Sequence, residues 1–278
     1  MRICFTSDLH GRVALYDHLE RLVSAEKPDL LILGGDLFPD GSGVDPAASQ
    51  AAYIEDVFAA RLRAWRSAAP QMTIACISGN HDWRYSKRVL SRLNESGLMV
   101  LLGDSAWSAG GLQFFGYSRT PPTPHWVKDF EGLDLPGDPL PQTGGSIWDE
   151  GAGRIREVSA EEHFKRPEAI AVDLQLYPRA AAPWVFVCHA PPYASKLDRL
   201  PHIEAPIGSR AVRKFIESRA PLLSLHGHFH ESPSVTGAFH DWVGKTLSIN
   251  PGQTDERLCA VLLDSTRLAE SMRHTVYA

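Results

Sequence analysis

The chain has 278 residues, with 28 lysines and arginines against 33 aspartates and glutamates, for a formal charge of -5. Hydrophobic residues make up 44% and charged residues 22%, an ordinary balance that excludes disorder, collagen-like repeats and low complexity. The acidity argues against a protein that holds long nucleic acids by neutralising their backbone.

Residues 2–6 form a short apolar strand. Residues 12–26 carry apolar side chains at helical spacing, and Pro28 follows the stop. Leu30 to Leu33 is a continuous apolar run ending in Gly34-Gly35-Asp36, which suits a strand buried on both faces. Residues 46–68 predict a long alanine-rich helix, and Met72 to Ile77 a further buried strand ending in Ser78-Gly79-Asn80-His81-Asp82. Strands alternating with helices indicate an α/β protein with parallel neighbours.

Residues 98–102 and 112–117 predict two shorter strands. The stretch 118–156 is rich in proline and glycine and reads as a long, mostly irregular insertion. Loops of this length inside a domain are usually functional lids or mobile segments. Ser159 and Glu162 predict a capping box for a helix running to about Tyr177. Trp184 to Cys188 is a strand ending in His189, and residues 209–219 are a helix. Leu222 to Leu225 is a strand ending in His226-Gly227-His228-Phe229-His230, with late strands at 246–249 and 258–263. No repeat or linker divides residues 1–278, so one domain is expected.

Cys4, Cys76, Cys188 and Cys259 lie far apart in or beside apolar runs and predict buried free thiols. No CxxC pair is present, so a zinc knuckle is not expected. No apolar run reaches membrane-spanning length, and the polar start MRICFTSDLHG is not a signal peptide. A cytoplasmic protein with no membrane partner is the default expectation.

Five apolar strands each end in a polar cluster: Asp8-Leu9-His10, Asp36, Asn80-His81-Asp82, His189 and His228-Phe229-His230. Each alone has a plain structural explanation, such as a strand terminator or a turn residue. Together they resist one, because such groups are costly to bury unpaired and strand ends converge on ligand sites. Carboxylate, imidazole and amide donors without thiolates suit a catalytic rather than a structural metal site. Seven candidate ligands among them are too many for one ion. Two ions sharing a carboxylate would use them all, the geometry of two-metal hydrolysis, with ions about 3.5–4 Å apart.

In order, Asp8-x-His10, Gly35-Asp36, Gly79-Asn80-His81-Asp82, His189 and Gly227-His228-x-His230 resemble the five motifs of the calcineurin-like metallophosphoesterases. The resemblance implies a four-layer α/β/β/α sandwich of two mixed β-sheets flanked by helices. It implies a first metal held by Asp8, His10, Asp36 and His230. A second would be held by Asp36, Asn80, His189 and His228, with Asp36 bridging. A metal-bridging hydroxide would attack the phosphorus in line. The resemblance leaves His81 to face the scissile phosphate, where it could bind a phosphoryl oxygen or protonate the leaving group. Asp82 either fixes the His81 tautomer or caps the following helix.

Residues 182–252 are similar to a small prokaryotic, phosphodiesterase-like subgroup. This favours a small phosphodiester as substrate over a phosphomonoester. The alternatives are a phosphomonoesterase on the same site and, further off, a non-catalytic scaffold of the same fold. Two divalent ions are implied as cofactors, with manganese, iron or zinc fitting the donors. Asn250-Pro251-Gly252 reads as a turn, and His226 as structural. Lys196, Arg199 and His202 read as a solvated loop. His18, His125, His163, His240 and His274 are also assigned to structure or surface, and Trp126, Phe130 and Trp148 either stack on substrate or pack on the body.

Overall fold

A computed structural model describes residues 1–165, 168–181 and 183–277. The strands are β1 (Arg2–Thr6), β2 (Leu30–Leu33), β3 (Thr73–Cys76), β4 (Val100–Leu101), β5 (Trp107–Ala109), β6 (Leu112–Tyr117), β7 (Gly145–Asp149), β8 (Arg154–Val158), β9 (Trp184–Cys188), β10 (Leu223–Leu225), β11 (His240–Val243), β12 (Thr246–Ile249), β13 (Val261–Asp264) and β14 (Arg273–His274). The main helices are α1 (Val13–Glu26), α2 (Pro46–Tyr53), α3 (Ala59–Ala68), α4 (Lys87–Glu95), α5 (Ala160–Phe164), α6 (Ile170–Gln175) and α7 (Arg210–Arg219). Short helices α8 (Ser232–Thr236) and α9 (Leu268–Ser271) follow.

Two mixed sheets carry the fold. The first has the order β14-β13-β1-β2-β3-β4 and the second β11-β12-β10-β9-β6-β5. In each, four consecutive strands run parallel and the remaining strands pair antiparallel. Strand alternation divides the core. Ile3, Phe5, Leu30 and Ile32 of the first sheet meet Val185, Val187, Leu223 and Leu225 of the second. The intervening Cys4, Leu31 and Leu33 face Leu15, Leu19, Phe58 and Trp65 of the helices. Phe115, Phe186 and Cys188 face Ile170, Val212 and Phe215 on the far side. The four layers are therefore helices, sheet, sheet and helices, as the resemblance implies. All four cysteines are buried and free.

Local chemistry explains the element ends. Asp45 caps α2, its carboxylate accepting from Ala48 N–H at 3.0 Å, with Pro46 in the first turn. The long helix predicted over 46–68 is present, but a π turn over Ile54–Phe58 joins α2 to α3. Lys27 ends α1 in the left-handed region and returns its N–H to Val23. Ser159 Oγ accepts from Glu162 N–H as the capping box requires, yet the helix does not run unbroken to Tyr177. It is two short helices, α5 and α6, and residues 166 and 167 between them lie outside the described residues.

The stretch 118–156 differs from the expectation of an irregular loop. β7 and β8 form an antiparallel hairpin there, reaching to Val158. Trp148 of the hairpin and Val127 pack on Ala47 and Trp83 of the body. Asp129 accepts from the N–H of both Arg84 and Trp148. A buried ion pair, Lys128–Glu131 at 2.8 Å, sits inside the insertion. The same Glu131 accepts from Thr123 N–H and Oγ–H, and Lys128 Nζ donates to Thr123 O. The segment is thus anchored at several points, because buried polar groups need partners and these partners belong to different elements.

Candidate metal centre

β1, β2 and β3 are parallel neighbours, so the loops after them leave the same edge of the first sheet. Asp8, Asp36 and Asn80 follow those strands and are buried. β9 and β10 are parallel in the second sheet and deliver His189, His228 and His230. The two sets meet across the sheet interface. His189 Nε2 lies 3.1 Å from Asp36 Oδ2, and His230 Nε2 lies 3.3 Å from Asp8 Oδ1. His10 Nε2 and His230 Nε2 are 3.2 Å apart.

Ligand atoms of Asp8, His10 and His230 lie within 4.8 Å of one another, as do those of Asp36, His189 and His228. Each group holds three of the four residues of one expected ligand set, without Asp36 in the first and Asn80 in the second, and His10, Asp40 and His81 form a third such group. The oxygens and nitrogens are close because the backbone is forced to bring them there. Asp8, His10, Asp36 and His228 all have positive φ, at 60°, 45°, 50° and 72°. Such strain in residues other than glycine concentrates at functional sites. Gly79 and Gly227 complete the approach: a Cβ at Gly79 would overlap Asp36 Oδ1, and one at Gly227 would overlap Asp8 Oδ2.

The donor set fits divalent cations. Asn80 Oδ1 and His189 Nε2 are buried with no hydrogen-bond partner. His189 stands close to Asp36 but outside hydrogen-bonding geometry. His189 Nδ1 is committed to Gly34 O at 2.8 Å, which leaves Nε2 free to bind a cation. Leaving a buried amide oxygen such as Asn80 Oδ1 unpaired costs about 1–3 kcal/mol. Burial would raise the Asp8 carboxyl, but His230 and His189 outweigh it and hold the group low. Asp36 is likewise held well below the carboxylate range: burial opposes this, and His189 and His81 outweigh it. Burial keeps His10 and His228 neutral, with lone pairs available. At His189 burial opposes the charge, yet Asp36 and Asp8 push its titration up to about 9.

A cavity of about 480 Å³ opens onto Asp36, Asn80, His81, His228 and His230. Its size suits a small substrate. His81 forms part of the floor, beside His10 at a ring separation of 4.8 Å.

A model of the calcineurin-like phosphoesterases matches residues 1–232. The chain belongs to the calcineurin-like phosphoesterase family. As a member it is a metal-dependent hydrolase of phosphoric esters. TT1561 of Thermus thermophilus shares the fold at a TM-score of 0.56 and 18% identity, over 98% of this chain and 97% of its own. Another crystal structure aligns over 100% of this chain and 99% of its own, at a TM-score of 0.64 and 16% identity. No curated protein matches in sequence. Among the described residues, no helix is long and apolar enough to cross a membrane.

In this phosphoesterase two functional neighbours escape the sequence reading. Asp40 Oδ1 is 2.8 Å from His81 Nδ1, and Asp40 Oδ2 is 3.4 Å from His125 Nε2. The His125 ring stacks on His81 at 3.6 Å, so His125 is not a surface residue but part of the site. Asp40 carries a faint signal, lying four residues after Asp36 in the same turn. His125 carries none, because it arrives from the insertion. The partner of His81 is therefore Asp40 rather than Asp82. The Asp82 carboxylate accepts from Gly79 N–H at 2.8 Å and does not cap the following helix. Burial, then the nearby Asp36, push Asp82 up to about 8. Burial works against charge on His81, but Asp36 and Asp40 outweigh it and raise its titration to about 9.

Asn250 does more than turn the chain. Its Oδ1 accepts from Gly252 N–H, while Nδ2 donates to Leu197, Gly227 and Phe229 carbonyls, holding the loop that bears His228. His226 is structural, as expected: buried, with Nδ1 on the Cys188 and Ala190 carbonyls. Phe130 and Trp148 pack on the body, and Trp126 is half exposed against Trp83. A second cavity of about 530 Å³ lies beyond Ser78, but its Arg119 and Arg84 are tied to Asp173 and Asp129.

Proposed function

We propose that the enzyme hydrolyses phosphodiesters with two divalent ions, manganese, iron or zinc. Asp8, His10, Asp36 and His230 would hold one, and Asp36, Asn80, His189 and His228 the other, with Asp36 shared. The observation that carries this is the pair of buried atoms without a hydrogen bond, Asn80 Oδ1 and His189 Nε2, beside the clusters to which both sheets deliver ligands. Bound there, the ions would polarise the phosphoryl oxygens and lower the pKa of water.

The remaining work belongs to side chains. With Nδ1 committed to Asp40, His81 keeps Nε2 for a phosphoryl oxygen or the leaving-group oxygen. Asp40 orients the ring and supports its positive charge, and His125 stacks on its face. Among the described residues no lysine or arginine lines the cavity. A diester monoanion needs less compensation than a monoester dianion, which supports the diester preference. Manganese-loaded protein should cleave bis-p-nitrophenyl phosphate faster than p-nitrophenyl phosphate. Equal or faster cleavage of the monoester overturns the preference.

A further inference from the structure

We infer that the ester group this enzyme accepts is apolar and uncharged, aryl or branched alkyl, and that it carries no second phosphate. The inference rests on the phosphoester-hydrolase reading above and adds the substrate class. Two loops wall the cavity above the polar floor. Pro121, Pro122 and Pro124 of the insertion form one side; Leu200, Ile203 and Ile207 form the other. The floor itself holds the phosphoryl group, so whatever is esterified to it must lie between these walls.

Several features make the walls fit such a group. Ile203 is 44% exposed, an apolar side chain left uncovered by the protein. The loop after His189 also contains three groups that could hold an anion, but they are turned to other uses or away. Arg199 Nη1 donates to Glu204 O, and none of Lys196, Arg199 and His202 lines the cavity. Beyond the floor ligands, the acidic residue that the cavity includes is Glu231, whose charge disfavours a second anion. The proline wall is also held in place. Thr123, between Pro122 and Pro124, is fastened by Glu131 and Lys128, so the wall is preorganised rather than formed on binding.

The test uses three phosphonates on manganese-loaded protein: phenylphosphonate, methylphosphonate and phosphonoacetate. Their affinities are read by calorimetry, and turnover of bis-p-nitrophenyl phosphate is measured on the same samples. Phenylphosphonate should bind about tenfold or more tighter than methylphosphonate, since burying a ring between apolar walls is worth at least that factor. Phosphonoacetate should bind about tenfold or more weaker than phenylphosphonate. Ile203→Ser, at an exposed position, should shrink the phenyl-to-methyl ratio several-fold. A ratio near one in the wild-type protein, or phosphonoacetate as the tightest ligand, overturns the inference while leaving the hydrolase reading intact. No phosphonate binding and no turnover with any divalent ion overturns the hydrolase reading itself.

Discussion

The polar floor of the cavity comes from strand ends, whereas its walls come from two loops, and the two are stabilised by different physics. On the floor, Asp8, Asp36 and Asn80 from the first sheet face His189, His228 and His230 from the second. One sheet supplies the formal negative charge and the other the imidazoles. Neither sheet holds a complete ligand set, so the centre exists only when the sheets pack. The walls need no such convergence. The proline wall depends on local anchors, above all the buried Lys128–Glu131 pair and its hold on Thr123. Strained, close-approach geometry marks the floor, and ordinary buried pairing marks the walls.

The sharpest way to break this contrast is to remove the shared floor ligand. Asp36→Asn should abolish metal-dependent turnover, a fall of at least about 10⁴, with loss of bound metal measured on the same sample. Retention of full metal content would sink the bridging role. His81→Ala should lower kcat by about 10²–10⁴ while metal content holds. Asp40→Asn should lower it by about 10–100-fold, the scale of losing a partner that orients a functional histidine. If Asp40→Asn behaves as wild type and Asp82→Asn does not, Asp82 is the partner after all.

A change of pH tests the floor by its charges. His189 and His230 both titrate upward because neighbouring carboxylates outweigh burial. His189 carries a proton at neutral pH, and protons on these ligands must be displaced by a cation, so metal affinity should rise with pH, about tenfold per unit for each proton released. Calorimetry in buffers of different ionisation enthalpy counts those protons; a pH-independent affinity between about pH 6 and 8 contradicts the argument. The smallest effect on activity should come from the walls. Glu131→Gln strands a buried lysine and should cost about 3–5 kcal/mol of stability, with turnover changed only a few-fold. Pairing it with Lys128→Met should recover most of the loss. Faster hydrogen exchange confined to 121–148 would place the damage in the insertion.

Residue patterns carried much of this. Apolar runs ending in Asp, Asn or His marked the floor, because strands buried on both faces tolerate no polar residue until they end. The second sheet was not legible in periodicity. Its strands, such as β10 and β12, are short and separated by loops, and their pairing is settled by partners distant in sequence. The insertion misled for a related reason. Proline and glycine announce turns but say nothing of the hairpin between them, whose register depends on Trp148 packing against the body.

The histidines show the division most clearly. Sequence alone determined that His10, His189, His228 and His230 stand at strand ends, since local patterning sets where a strand stops. It also placed His226 in the structure. It could not place His125, which joins the site only because Lys128, Glu131 and Asp129 fasten the insertion beside β2 and β3. Nor could it choose Asp40 over Asp82 as the partner of His81, since that depends on which carboxylate the folded turn brings within 2.8 Å. Short-range sequence order fixes the type and position of a functional group along the chain. Which groups touch is decided by packing between distant segments, where a few kcal/mol of buried pairing selects one arrangement over its neighbours.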